Sequence, residues 1–230
     1  GDSATFNHVR VLGRDHERRV ATHIFGELNS HSKFNSFTLT VNGVLTRSEC
    51  FLNIAGDFAA AHISGACVGD GDFHHDDTVF VTHDSVEAES RQVFKKVLRN
   101  GATGVFQGKI LVKPNAQKTD GYQISQSLLL DEDSQFLAKP ELEIYADDVA
   151  CSHGSTSGAI DEEALFYLTS RGISKLIAID MLTMPFLAEA VEEIESENLK
   201  DIILQLLVSW LDRHRNCLLY TSPSPRDSDS

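Results

Sequence analysis

Along most of the first 155 residues, apolar positions recur in short runs separated by turn residues, not at helical spacing. The clearest runs are "FTLTVNG" (37–43), "ECFLNIAG" (49–56), "AHISGACVG" (61–69), "DTVFVTH" (77–83), "TGVFQGKILVKP" (103–114) and "KPELEIYADD" (139–148). Several alternate apolar and polar residues, as half-buried strands do; in the first, Phe37, Leu39 and Val41 share one face. No ten-residue helical pattern separates them, so the pattern predicts an all-β sandwich, barrel or solenoid. The small residues Ala59, Ala60, Ala61, Gly65 and Ala66 favour a solenoid, whose stacked coils bury small side chains. "RQVFKKVLRNGATG" (91–104) is ambiguous, with Gly101 and Gly104 closing it as a turn would.

After residue 158 the period changes. "DEEALFYLTSRG" (161–172) places acids in its first turn and ends in Arg171-Gly172, a helix start and stop. "SKLIAIDMLTMPFLAEAVEEI" (174–194) continues helically, with Pro185 expected to kink or divide it. Within 196–215, Leu199, Ile202, Ile203, Leu206, Leu207 and Trp210 form one apolar stripe, with Ser196 as the expected N-cap. That stripe either packs on its own domain or receives a partner protein. The tail 216–230, "NCLLYTSPSPRDSDS", has no period and reads as disordered or non-native.

Composition narrows the function classes. A 230-residue chain with 41% hydrophobic and 23% charged residues can bury a sizeable core. Its formal charge of −14 argues against nucleic-acid binding, which uses clustered Lys and Arg, and against anionic lipid. No run of about 18 apolar residues is present to span a membrane. The opening "GDSATFNHVRVLGRDHERR" lacks an initiator Met and a secretory apolar region, and is expected to start inside a longer chain. Cys50, Cys67, Cys151 and Cys217 show no CxxC spacing, which suits reduced intracellular thiols.

Two segments could carry chemistry. In "YADDVACSHGSTSG" (145–158), Cys151 and His153 stand two positions apart. On a strand they share a face, roughly 6.6–6.8 Å apart along the backbone. A nucleophile and base need hydrogen-bond reach, an orienting acid and an oxyanion hole, and the sequence names neither of the last two. A closed zinc or iron–sulfur site wants four ligands. A half-site completed by another chain, or polar residues at a strand end, remain as readings. "GDGDFHHDDT" (69–78) offers Asp70, Asp72, Asp76 and Asp77, either as a calcium or glycosidase site or as a solvated turn between strands. His83 is expected to be a strand-end histidine and not a ligand. The chain holds no GxxxxGK[ST] loop, so it is not itself a P-loop ATPase.

"GVFQGKILVKPNAQKTDGYQISQSLLLDEDSQFLAKPELEIYADDVACSHGSTSGAIDEEALFYLTSRGIS" (104–174) resembles the SufB/SufD family of iron–sulfur cluster assembly proteins, and within it the SufD branch. "KPELEIYADDVACSHG" and "FYLTSRGI" carry the likeness; "CSHG" stands where the SufB branch has a glutamate-containing string. The resemblance implies a mainly β protein: a right-handed parallel β-helix over 1–158, then a small helical ATPase-docking domain over 159–215. It implies a scaffold and not an enzyme, pairing with SufB through the β-helix cores, with ATPase activity in the partner SufC at the C-terminal helices. His153, and less firmly Cys151, would face SufB and help bind a nascent, transient iron–sulfur cluster as metal ligands. A role for flavin is left open. The compartment implied is the cytoplasm, or a plastid if a preceding segment carries a transit peptide. The rival readings are a β-helical polysaccharide-acting enzyme using the four aspartates, and a stand-alone protein-binding module.

Overall fold

A computed structural model describes residues 1–13 and 17–218, with side chains as far as 213. Eleven strands come first: β1 (Thr5–Leu12), β2 (Arg19–Leu28), β3 (Lys33–Val41), β4 (Leu45–Ile54), β5 (Ala60–Asp70), β6 (His74–His83), β7 (Glu89–Arg99), β8 (Thr103–Val112), β9 (Thr119–Leu129), β10 (Gln135–Ile144) and β11 (Val149–Ala159). Three helices follow, α1 (Glu162–Ser170), α2 (Lys175–Val191) and α3 (Glu197–Leu218). Odd strands form a six-stranded sheet in the order β1-β3-β5-β7-β9-β11, and even strands a five-stranded sheet, β10-β8-β6-β4-β2. Every pairing is parallel.

Parallel neighbours need a long crossover. Here each crossover is a strand of the other sheet, so the chain winds as a β-solenoid of about five turns. The coil length is read from side chains stacked on consecutive turns: Asn7 and Asn35 bond across 28 residues, Asp70 and Arg99 across 29. Residues His31, Phe58, Glu87 and Lys118 occupy one corner on successive turns, all with φ between 54° and 59°. The left-handed conformation costs a non-glycine residue on the order of 1–2 kcal/mol. Amide bonds to the next turn offset it, such as His31 N–H to Asp57 O and Glu87 N–H to Gln117 O, both 2.9 Å. The left-handed position itself holds His, Phe, Glu or Lys and not one recurring glycine, which is why the coil repeat is hard to see in the sequence.

Two cores result. Inside the solenoid, Leu52, Ile54, Ala61, Ile63, Val79, Val81, Phe94 and Phe106 pack together. Outside it, Phe37, Leu39, Val41, Val68, Val93 and Val97 on the six-stranded sheet pack under Leu187, Val191, Ile203, Leu207 and Trp210 of α2 and α3. The apolar stripe of α3 is thus largely buried against its own chain. Trp210 is 1% exposed, donates from Nε1 to Asn42 Oδ1 at 2.8 Å, and lies under the Arg99 guanidinium. Lys33, Arg91 and Lys95 on the sheet hold Glu195, Glu193 and Glu189, clasping the α2 end to the solenoid.

Some expectations are corrected. Pro185 does not divide α2, which runs unbroken through it. Residues 91–99 are the body of β7, and Gly104 lies within β8, not in a turn. α1 does begin at the Asp161 cap, whose carboxylate accepts from the Glu163 and Ala164 amides, and it ends before Gly172 at φ 86°. The expected disordered tail overlaps α3 as far as Leu218; residues 219–230, and the side chain of Cys217, lie outside the described residues.

Candidate metal centre on the last strand

β11 reads "VACSHGSTSGA", a composition with little intrinsic strand preference. It is held by full-length parallel pairing with β9, and by Ser127 Oγ donating to Ser157 Oγ at 2.9 Å. Among the described residues β11 has a strand neighbour on one side only. In β9 the alternate residues Thr119, Gly121, Gln123, Ser125 and Ser127 are buried in the solenoid. Register then sets direction: Cys151 stands beside Gly121 and His153 beside Gln123. Both therefore project to the interior side, on the turn that closes the stack.

Cys151 is half-buried against Ile110, Val112, Ala116 and Val149. Its Sγ lies 3.0 Å from where a Cβ on Gly121 would stand, so glycine is what makes room for it. Burial pushes the Cys151 thiol up, the Gly121 backbone bond opposes this, and Asp120 adds to it. His153 is exposed, and among the described residues no hydrogen bond or ion pair joins it to Cys151 or to an orienting acid. Nor do three or more His, Cys, Asp or Glu side chains converge to hold a metal among the described residues. The arrangement presents one thiol and one imidazole, both ligand types suited to iron, on an open edge.

The remaining candidates do not join this pair. Cys50 and Cys67 are buried, and burial pushes both thiols up to about 12. The acidic segment is a turn only at 71–73; from His74 it is strand, and His75 and Asp77 lie inside the solenoid. The solvated turn expected over 69–78 is corrected accordingly. Asp70 meets Arg99 at 2.7 Å, Asp72 is exposed, and Asp76 lies 3.7 Å from Arg47. Asp77 contacts His75 at 3.3 Å and Lys96 at 2.5 Å. Alternation along β6 sends Asp76 and Asp77 to opposite faces, so the four carboxylates do not form one acid–base pair. Burial alone would raise Asp77, yet His75 and Lys96 outweigh it and hold the carboxyl below its usual range. His83 ends β6 as expected: it is fully buried, bonded to Ser90 Oγ at 2.8 Å, and pushed down to about 4 by burial.

Sequence reasoning missed the interior polar groups, notably Lys96, Gln92 and Gln123. "RQVFKKVLR" looks amphipathic in neither period because β7 is covered on both faces. Counting parity outward from Phe94 would have put Lys96 and Gln92 inside.

No described helix is long and apolar enough to cross a membrane. The family profile described as "SUF system FeS cluster assembly, SufBD core domain" matches residues 1–186. The iron–sulfur cluster assembly protein SufD of Escherichia coli is 35% identical over 169 residues, covering 74% of this chain and 40% of the relative. SufD of Bacillus subtilis is 32% identical over 168 residues, covering 73% and 38%. A protein of Arabidopsis thaliana named as chloroplastic is 28% identical over 191 residues, covering 80% and 40%. The chain thus spans about two fifths of the length of these relatives. With a parallel β-solenoid followed by three helices and a profile match over most of its length, the chain belongs to the SufBD core family of SUF-system iron–sulfur cluster assembly proteins, and is SufD-like within it.

Proposed function

We propose that the chain is a non-catalytic scaffold subunit that pairs with a SufB-like subunit and supplies part of a shared ligand set for a nascent iron–sulfur cluster. The observation that carries this reading is β11: among the described residues, a strand paired on one side, presenting Cys151 and His153 on a single face with no complete ligand set around them. An incomplete shell suits a cluster that is built and handed on, whereas four protein ligands would retain it. His153 is the principal ligand in this account; Cys151, half-buried over Gly121, is the second.

Residues 1–158 act as the scaffold and 159–215 as the docking helices for a SufC-like ATPase. α1 supports the second part: it buries none of its residues, and Phe166 and Tyr167 are 74% and 55% exposed. Ile177 and Met181 of α2 add exposed apolar surface. Nucleotide-driven closure of the ATPase would pull on these helices and shear the subunit seam beside β11. The compartment is the cytoplasm or a plastid, the latter motivated by the chloroplastic relative. The polysaccharide-enzyme reading loses its basis because its carboxylates face apart.

Co-expression with SufB-like and SufC-like subunits tests the assembly: the three should co-purify, and a chain recovered without them would oppose the scaffold role. Cross-links between 162–181 and the ATPase should change with nucleotide; an unchanged pattern would remove the coupling.

A further inference from the structure

Gln92 and Gln123 are both 0% exposed inside the solenoid, and among the described residues neither the oxygen nor the nitrogen of either amide has a hydrogen-bonding partner. They are consecutive members of one column: Gln92 stands beside Gln123, and Gln123 beside His153. The Ser125 hydroxyl, two positions along β9 on the same face, is also without a partner. Leaving one such group dry costs its full desolvation, so several in one place call for a ligand that hydrogen-bonds. Apolar residues of similar length would fill the same space without that cost.

Glycine on the facing strand makes room for the Gln123 amide itself. A Cβ on Gly108, on the opposite sheet, would lie 2.4 Å from Gln123 Oε1. Adjacent strands are about 4.8 Å apart, a gap that one water molecule bridges between neighbouring polar side chains. Water is also the ligand that can satisfy donor and acceptor on both amides at once.

We infer that the last turns of the solenoid hold bound water linking Gln92 and Gln123 to the inward nitrogen of His153, and that Gln123 is a positioning residue for that imidazole. With the inward nitrogen carrying the proton and donating to that water, the ring plane is held and the other nitrogen is presented outward as a lone pair. The purpose of this arrangement rests on the reading of His153 as a ligand; its geometry does not.

The test uses the chain with isotope-labelled histidine and glutamine, observed by NMR at about pH 8, where free imidazole is neutral. Cross-peaks from the Gln123 side-chain NH2 to long-lived water are expected, with His153 biased about fivefold or more to one tautomer, the bias of one net hydrogen bond. Gln123→Met should abolish the cross-peaks and the bias while leaving the thermal midpoint unchanged or higher. Gly108→Ala, which crowds the amide without removing it, should shift the same His153 signals. Absence of water at the Gln123 amide, or identical His153 ring-nitrogen spectra in the parent and Gln123→Met, would overturn the inference. A His153→Ala complex with full cluster yield would instead remove the ligand role and leave the water result standing.

Discussion

Cys50, Cys67 and Cys151 carry one functional group in three surroundings, and their reactivity should differ accordingly. Burial pushes Cys50 and Cys67 to about 12, whereas Cys151 is only half-buried on the open last turn. The thiolate is the reactive form, so brief maleimide labelling of the native chain, read by peptide mass spectrometry, should modify Cys151 before the other two. Labelling of Cys50 or Cys67 first would mean the solenoid interior is open. His83 makes a second prediction. Its folded value of about 4 lies below the ordinary 6.5, so the unfolded chain binds the proton more readily and stability falls as pH drops from about 6.5 towards 4. The contribution is roughly 3 kcal/mol from a shift of this size. His83→Gln should flatten that part of the stability–pH curve, measured by urea unfolding; an unchanged slope would assign the loss elsewhere. At this scale the Cys151–His153 pair was legible from the sequence, because two-residue spacing on a strand already puts both on one face. Gln123 was not, since its meaning depends on which face of β9 is interior.

The strands differ in how plainly the sequence announces them. β3, β4, β5, β8 and β10 have apolar runs or alternation that marks them, whereas β7 is covered on both faces and β11 is built of Ser, Gly and Thr. β9 places Gln123, Ser125 and Ser127 inward, which inverts the usual pattern of polar residues facing water. β6 and β7 are joined through the interior by Asp77 and Lys96. Removing one member of a buried ion pair leaves an uncompensated charge, a loss of about 3–5 kcal/mol, while replacing both with apolar residues is far milder. Lys96→Met should therefore destabilise by about that amount, and Asp77→Leu with Lys96→Met should recover much of it in urea midpoints. Equal losses in the single and double variants would argue that the pair is not a unit. For α3, Trp210→Ala should cost about 3–5 kcal/mol, since the ring fills the core under the helix and its Nε1 bond to Asn42 is lost. Undiminished stability would show that the helix docks by other contacts.

The solenoid as a whole followed from short strands and small residues only as one of three β architectures. The family resemblance in "KPELEIYADDVACSHG" and "FYLTSRGI" narrowed it to a β-helix. Periodicity could not have done so, because the coil repeats at about 30 residues without a repeated motif, and its corners use His, Phe, Glu and Lys. The strand-to-helix change near residue 158 was visible because the period itself changes there. In the proposed reading, function at this scale depends on incompleteness: β11 would offer two ligand types and take the rest from a partner. The most direct test is reconstitution with iron and sulfide of the purified chain, alone and assembled with SufB-like and SufC-like subunits. The account predicts no stable stoichiometric cluster on the chain alone, a cluster on the assembly, and a reduced yield when the assembly carries His153→Ala. A stable, stoichiometric cluster on the isolated chain, or full yield from the His153→Ala assembly, would contradict it.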